Sequence, residues 1–198
     1  MINLSLITNR QKLIIEKGLC DYCYIMNNWK INDPDFQDVY YEFYLKARWV
    51  VMHLAWNKIT YFNKLQSINP SDYLMDILDY LKVNMAANSY EFSLGSKLLH
   101  TRNPNMPIYD RKVREYLTNE ENVDFWWHNS PKLRGASTGK NERQKIEHDW
   151  IELNKWYKTF MSSPRGKQWI KWFDNNFPNY SAIISDIKKI DFIIFATR

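Results

Sequence analysis

Cysteine is scarce in this 198-residue chain. Cys20 and Cys23 form one C-x-x-C pair with no second pair to complement it. That excludes a disulfide framework, and it excludes a structural zinc or iron–sulfur site built on four cysteines. Both are read as reduced, structural thiols of a cytoplasmic protein, with a redox role for the pair as the alternative. Glycine is equally sparse, at five scattered residues. No phosphate loop, dinucleotide fingerprint or nucleophile elbow can be assembled from them. The four histidines, His53, His100, His128 and His148, lack metal-ligand spacing such as H-E-x-x-H, so no metal and no cofactor is expected. Apolar runs are short. None approaches the roughly 20 residues of a membrane span, and MINLSLITNRQK is too short and polar for a secretory h-region. A soluble protein with no membrane partner is expected.

Aromatic residues, by contrast, are abundant: nine Trp, thirteen Tyr and ten Phe. Rings of this size dominate buried area, so most belong to a core, and some could form a stacking pocket. Net charge is +5 and the sequence pI is about 9.0. That suits an anionic partner such as nucleic acid, or simply a slightly basic protein. The length fits one domain spanning 1–198, expected to be a monomer.

Apolar periodicity points to helices throughout. Residues 1–32 suggest a short helix ended near Gly18. Asp33-Pro34 is a capped start, and Phe36, Val39, Tyr40, Phe43, Tyr44, Ala47, Val51, Leu54 and Ala55 then recur at three- and four-residue steps. This reads as one long amphipathic helix. Asn69-Pro70-Ser71 opens another, with Leu74, Ile77, Leu78, Leu81 and Met85 as its stripe. A helix over about 141–161 carries Ile146, Trp150, Leu153, Tyr157 and Phe160, and Pro164 ends it. Trp169, Ile170, Trp172 and Phe173 mark a further helix. The tail, through Ile183, Ile184, Ile187, Ile190 and Ile194, fits a helix, although DFIIF also suits a strand. The expectation is an all-α domain of seven or eight helices.

One stretch, 91–117, EFSLGSKLLHTRNPNMPIYDRKVREYL, looks built for chemistry. It reads as a tight turn, a short helix opening at Lys97, a proline-bounded loop, and a second helix opening at Asp110. In the first turn of a helix the positive dipole end disfavours an ammonium by about 0.3–1 kcal/mol. Burial would have to supply any larger depression that makes a lysine nucleophilic near neutral pH. Otherwise Lys97 is an exposed residue at a helix start. Asp110 suits an N-cap, a role that leaves one carboxylate oxygen free for chemistry. Downstream, the loop 130–145 holds Lys132, Arg134, Lys140, Arg143 and Lys145 against Glu142 and Glu147. It is either a basic binding patch or a solvated loop.

Leu94-Gly95-Ser96-Lys97 and Pro107-Ile108-Tyr109-Asp110, followed by Val113, resemble the helix–hairpin–helix DNA glycosylases, especially bacterial proteins with the 8-oxoguanine glycosylase (OGG-like) fold. By that resemblance Lys97 is the amine that attacks the sugar anomeric carbon and forms a Schiff base. Asp110 supports the developing positive sugar and assists the lysine. The resemblance also makes Ser93, Gly95 and Ser96 a hairpin touching a DNA phosphate. Phe92 and Ser93 stand where the family carries Pro and Gly. The segment 187–192 looks like the last helix of the OGG-like proteins.

A glycosylase must flip its base out of the stack and hold it between aromatic or apolar groups. Tyr109, Trp126, Trp127, Phe192 and Phe195, with His100, are the candidates for that pocket, the rings being otherwise core residues, and Lys132, Arg134 and Lys140 are the candidates for strand contacts. The expected function is base excision from DNA by lysine attack, in repair or against foreign DNA, with strand cleavage as an option. The alternative is a catalytically silent nucleic-acid-binding module of the same fold.

Overall fold

The computed structural model describes residues 2–45, 48–85, 89–126 and 140–197. Among them are nine α-helices: α1 (Asn9–Asn27), α2 (Pro34–Tyr44), α3 (Arg48–Ser67), α4 (Leu74–Asn84), α5 (Phe92–Arg102), α6 (Arg111–Glu121), α7 (Lys140–Ser162), α8 (Pro164–Asn176) and α9 (Asp186–Thr197). Two 3-10 turns, at Leu4–Leu6 and Pro178–Tyr180, complete the set, and no strand occurs among the described residues. The all-α expectation holds, with more helices than the seven or eight expected.

Local chemistry starts most of these helices. Thr8 and Gln11 cap α1 reciprocally, the Thr8 N–H donating to Gln11 Oε1 at 2.8 Å and the Gln11 N–H to Thr8 Oγ1 at 3.3 Å. Asp33 accepts from the Asp35 N–H with Pro34 at the first helical position. Ser163 does the same for α8 through the Gly166 N–H, so Pro164 opens that helix as well as following α7. Asp110 accepts from the Lys112 N–H at 2.8 Å, and α6 begins where the sequence places it. After Asn69-Pro70-Ser71 the chain instead makes a turn, with Asp72 Oδ2 accepting from the Asn69 N–H, and α4 begins later at Leu74.

Three expectations fail for one reason, which is that close packing overrides local signals. First, α1 runs straight through Gly18, because a Cβ there would come within 2.8 Å of Phe192 Cε1; the glycine lets α1 approach α9. Second, the long helix expected from Asp33 is two helices. The chain leaves α2 at Leu45, which is off the Phe36–Tyr40–Tyr44 stripe yet 1% exposed, so the break turns it inward. Further along α3, Tyr61 and Phe62 pack against Phe36 and Tyr40 of α2. Third, the turn and helix start expected at 92–97 are absent: α5 begins at Phe92, and Gly95 lies within it against α4. A Cβ at Gly95 would meet Leu78 Cδ2 at 2.5 Å. A single glycine costs a helix about 1 kcal/mol, which a close α4–α5 contact can outweigh. The C-terminal alternative resolves to helix throughout Asp186–Thr197.

Helix α9 is the centre of the domain. It touches α1, α6, α7 and α8, and Ile187 to Ile194 are all buried. Around it, α1 rests on α2, α4 on α5, and α5 on α3. No helix among the described residues is long and apolar enough to cross a membrane.

Candidate active site

Because α5 starts at Phe92, Lys97 sits in mid-helix rather than in the first turn. The helix end therefore does not act on it; burial does. Lys97 is 9% exposed, and its neighbours Ser96, Leu98, Leu99, His100 and Thr101 are buried with it. Its amine has no hydrogen bond or ion pair among the described residues. Burial holds the ammonium below its ordinary range, the Asp110 carboxylate opposes that shift, and Lys188 adds to it.

Asp110 spends one oxygen, Oδ1, on capping α6. The other makes no hydrogen bond among the described residues. The loop between Lys97 and Asp110 is tied back to α5 at two points. The Tyr109 N–H donates to Ser96 Oγ at 3.0 Å, and the Met106 carbonyl faces His100 Nδ1 at 2.6 Å. A carbonyl only accepts, so His100 Nδ1 carries the proton and Nε2 accepts from the Tyr22 hydroxyl at 3.1 Å. Burial, with the Lys188 charge, pushes the imidazole down to about 3. His100 is thus a neutral, fully occupied brace between α1, α5 and the loop.

Two charged side chains of α9 complete the cluster. Lys188 is 6% exposed, and its Nζ lies 3.9 Å from Asp191 Oδ2. Four rings surround that amine, those of Tyr22, Phe43, Tyr44 and Phe192, with centroids 5.2–5.6 Å away. Burial lowers Lys188, and Asp191 and Asp110 oppose the shift. Asp191 accepts a hydrogen bond from the Tyr157 hydroxyl on α7. Burial raises its carboxyl to about 6 even though Lys188 and Tyr157 pull it back. On the far side of Lys97, the Thr101 hydroxyl donates to the Lys97 carbonyl at 2.7 Å. Its single proton is then spent, so the Tyr40 hydroxyl donates to Thr101 Oγ1 at 3.2 Å.

The remaining sequence candidates fall into four groups. Gly95 and Ser96 are buried in α5; Ser96 Oγ also donates to the Ser93 carbonyl at 3.1 Å. The hairpin expected to present Ser93, Gly95 and Ser96 to a phosphate is replaced by helix. Tyr109 stacks on Phe92 at 3.9 Å, and its hydroxyl donates to Asp149 Oδ2 at 3.3 Å. It is part of the core beside the site. Trp126 is 46% exposed and its ring lies flat on His148 at 3.6 Å, while its backbone N–H donates to Asp149 Oδ1 at 2.7 Å. Trp127, Lys132 and Arg134 lie outside the described residues, as does the side chain of Lys140.

The sequence marks 187–192 but assigns no role to Lys188 or Asp191, shows Tyr157 only as part of an apolar stripe, and gives no signal for Tyr22. For Lys188 and Asp191 the signal was present: a K-K-x-D run inside an isoleucine stripe puts charge where the helix must be buried. Lys189 is explained by its partners, lying 2.9 Å from Asp174 and 3.0 Å from Asp186. Two surface depressions, one beside Trp29, Ile31 and Gln66 and one beside Ile2, Leu6 and Thr197, do not include Lys97 or Asp110. No group of three or more potential metal-ligating His, Cys, Asp or Glu side chains occurs among the described residues. No family model, curated protein or solved structure matches this chain.

Proposed function

We propose that the protein is a DNA N-glycosylase that excises a damaged or modified base, with Lys97 as nucleophile and Asp110 as its electrostatic and acid–base partner. The observation that carries this reading is Lys97 itself: a buried amine that has, among the described residues, no hydrogen bond or ion pair, under the field of a carboxylate whose second oxygen makes no hydrogen bond among them. Burying an amine unpaired costs stability, and such costs concentrate at sites of chemistry. The net charge of +5 suits a polyanionic substrate.

In this reading the Lys97 lone pair forms a bond to the sugar C1′. The glycosidic C1′–N bond breaks, and its electron pair leaves with the base, which then takes a proton. Asp110 steadies the positive character developing on the sugar and accepts the proton that the attacking amine gives up. Ring opening leaves an imine between Lys97 and the sugar. Since Lys97 is 9% exposed, the site must open to admit a flipped nucleotide.

Borohydride trapping tests this on oligonucleotides carrying 8-oxoguanine, uracil, alkylated bases, hypermodified cytosines or an abasic site. A covalent adduct that disappears in Lys97→Gln is the expected result. A second reading, a nucleic-acid-binding module without catalysis, is favoured by the helical state of 92–96, which gives the chain no hairpin like that of the enzymes it resembles. Salt-sensitive DNA binding with no adduct on any substrate would select it.

A further inference from the structure

Two buried lysines from different helices share one interior, and their surroundings differ. Lys188 has a carboxylate within 3.9 Å and four aromatic faces around it. Lys97 has neither a hydrogen bond nor an ion pair among the described residues. We propose that Lys188 is a positioning residue of this site, carrying the cluster's ammonium charge beside Asp191 so that Lys97 stands as the free amine. The assignment of charge starts from the Lys188–Asp191 contact and the rings around Lys188. Its value for chemistry rests on the reading of Lys97 as the nucleophile.

The groups facing this interior leave few other places for a proton. From α1, Tyr22 uses its hydroxyl proton on His100. From α2, Tyr44 and Tyr40 are both raised by burial and remain phenols. From α5, His100 has both ring nitrogens engaged and stays neutral. From α7, Tyr157 donates to Asp191. The negative groups are Asp110, at the start of α6, and Asp191 on α9; both act on Lys188, whereas Asp110 alone is a carboxylate source of stabilisation for Lys97. An ammonium at Lys188 is therefore the better-compensated choice. Once it is charged, it raises the cost of a second ammonium at Lys97. A neighbouring cation and a dry setting are the two general means of keeping a lysine amine nucleophilic at neutral pH.

The deciding measurement is a side-chain nitrogen NMR titration of the full chain, with Lys97→Gln and Lys188→Met used to assign the two amines. At pH 7 the wild type is expected to show Lys188 as an ammonium and Lys97 as a free amine. In Lys188→Met the Lys97 midpoint is expected to rise by about one pH unit or more, a tenfold or larger change in proton affinity. Borohydride trapping on an abasic-site oligonucleotide should report the same shift, its acidic limb moving upward while the alkaline plateau is retained. Lys188→Arg, which keeps the charge, should keep the wild-type profile.

An ammonium at Lys97 at pH 7 in the wild type overturns the proposal, and so does an unmoved midpoint in Lys188→Met. If Lys188→Met does not fold, the wild-type titration still decides, because the proposal requires one amine charged and the other neutral. A correct charge pattern with no adduct on any oligonucleotide upholds Lys188's place in the cluster and removes the glycosylase reading instead.

Discussion

Two charged regions, one at a helix seam and one inside the core, obey different rules. At the α4–α7 seam the charges pair closely, and apart from the buried Glu142 they stay partly exposed. Lys82 meets Glu142 at 3.1 Å and lies 4.0 Å over the Tyr90 ring. Glu142 also accepts from the Tyr90 N–H, and the Tyr90 hydroxyl donates to Asp79 at 2.9 Å. Arg143 spans Asp79 and Glu147. In the interior around α9 the counting comes out differently. Lys97 has no direct partner among the described residues, Lys188 and Asp191 are separated by 3.9 Å, and the Asp191 carboxyl is pushed up to about 6. Matched charge at a seam fastens helices to each other. Poorly compensated charge in a dry core costs stability, and a fold retains it where it serves another purpose.

The sharpest way to break that contrast is to remove Asp191. Asp191→Ala strands the Lys188 ammonium in the core and takes away the acceptor of the Tyr157 hydroxyl. Loss of one partner of a buried pair costs about 3–5 kcal/mol. Urea unfolding followed by tryptophan fluorescence should show a loss in that range. A loss under about 1 kcal/mol, the scale of an exposed pair, would mean that the interior behaves as the seam does.

Replacing Lys97 acts in the opposite direction. Lys97→Met keeps the volume and the apolar stem but removes an unpaired buried amine, so the variant should be more stable by about 1–3 kcal/mol while losing any covalent chemistry. The gain depends on pH in a defined sense. Lys97 titrates below 10.5 in the folded chain, so between its folded and unfolded values the unfolded state binds more protons, and wild-type stability rises with pH through that window. The advantage of Lys97→Met is therefore greatest near neutrality and shrinks as pH approaches 10.5. Equal stability at pH 7, or an advantage that grows with pH, would show that Lys97 carries no burial penalty.

This contrast also explains what could be read from the sequence and what could not. The helical class, the α6 start at Asp110 and the stripes of α7 and α8 follow from three- and four-residue apolar spacing and from capping chemistry, which are local. Gly18 and Gly95 misled because the same residue that breaks a helix in isolation permits close helix contact in a core, and nothing within a few residues distinguishes the two. Lys97 was legible as a residue of interest, but its surroundings were not. Asp110 could be named as its partner, but the burial and the second amine, Lys188 on α9, come only with the packing of the helices. Lys188 and Asp191 were hidden because a charged pair spaced i, i+3 on a helix ordinarily marks the solvent face.

The smallest effect is expected where the ion pairs look best. Arg143 contacts two carboxylates, Asp79 and Glu147, with the side chain 41% exposed and those partners 40% and 33% exposed. Water screens each of these charges in the folded state and solvates them again when a partner is lost, so the pairs contribute little beyond their own ordering cost. Arg143→Ala should therefore lower stability by less than about 1 kcal/mol. The loss should also shrink in high salt, because exposed pairs are screened and buried ones much less so. Urea titrations at low and high ionic strength measure both properties. A loss above about 2 kcal/mol that salt leaves unchanged would place Arg143 with the interior charges. The distinction between seam and core would then rest on the number of partners rather than on burial.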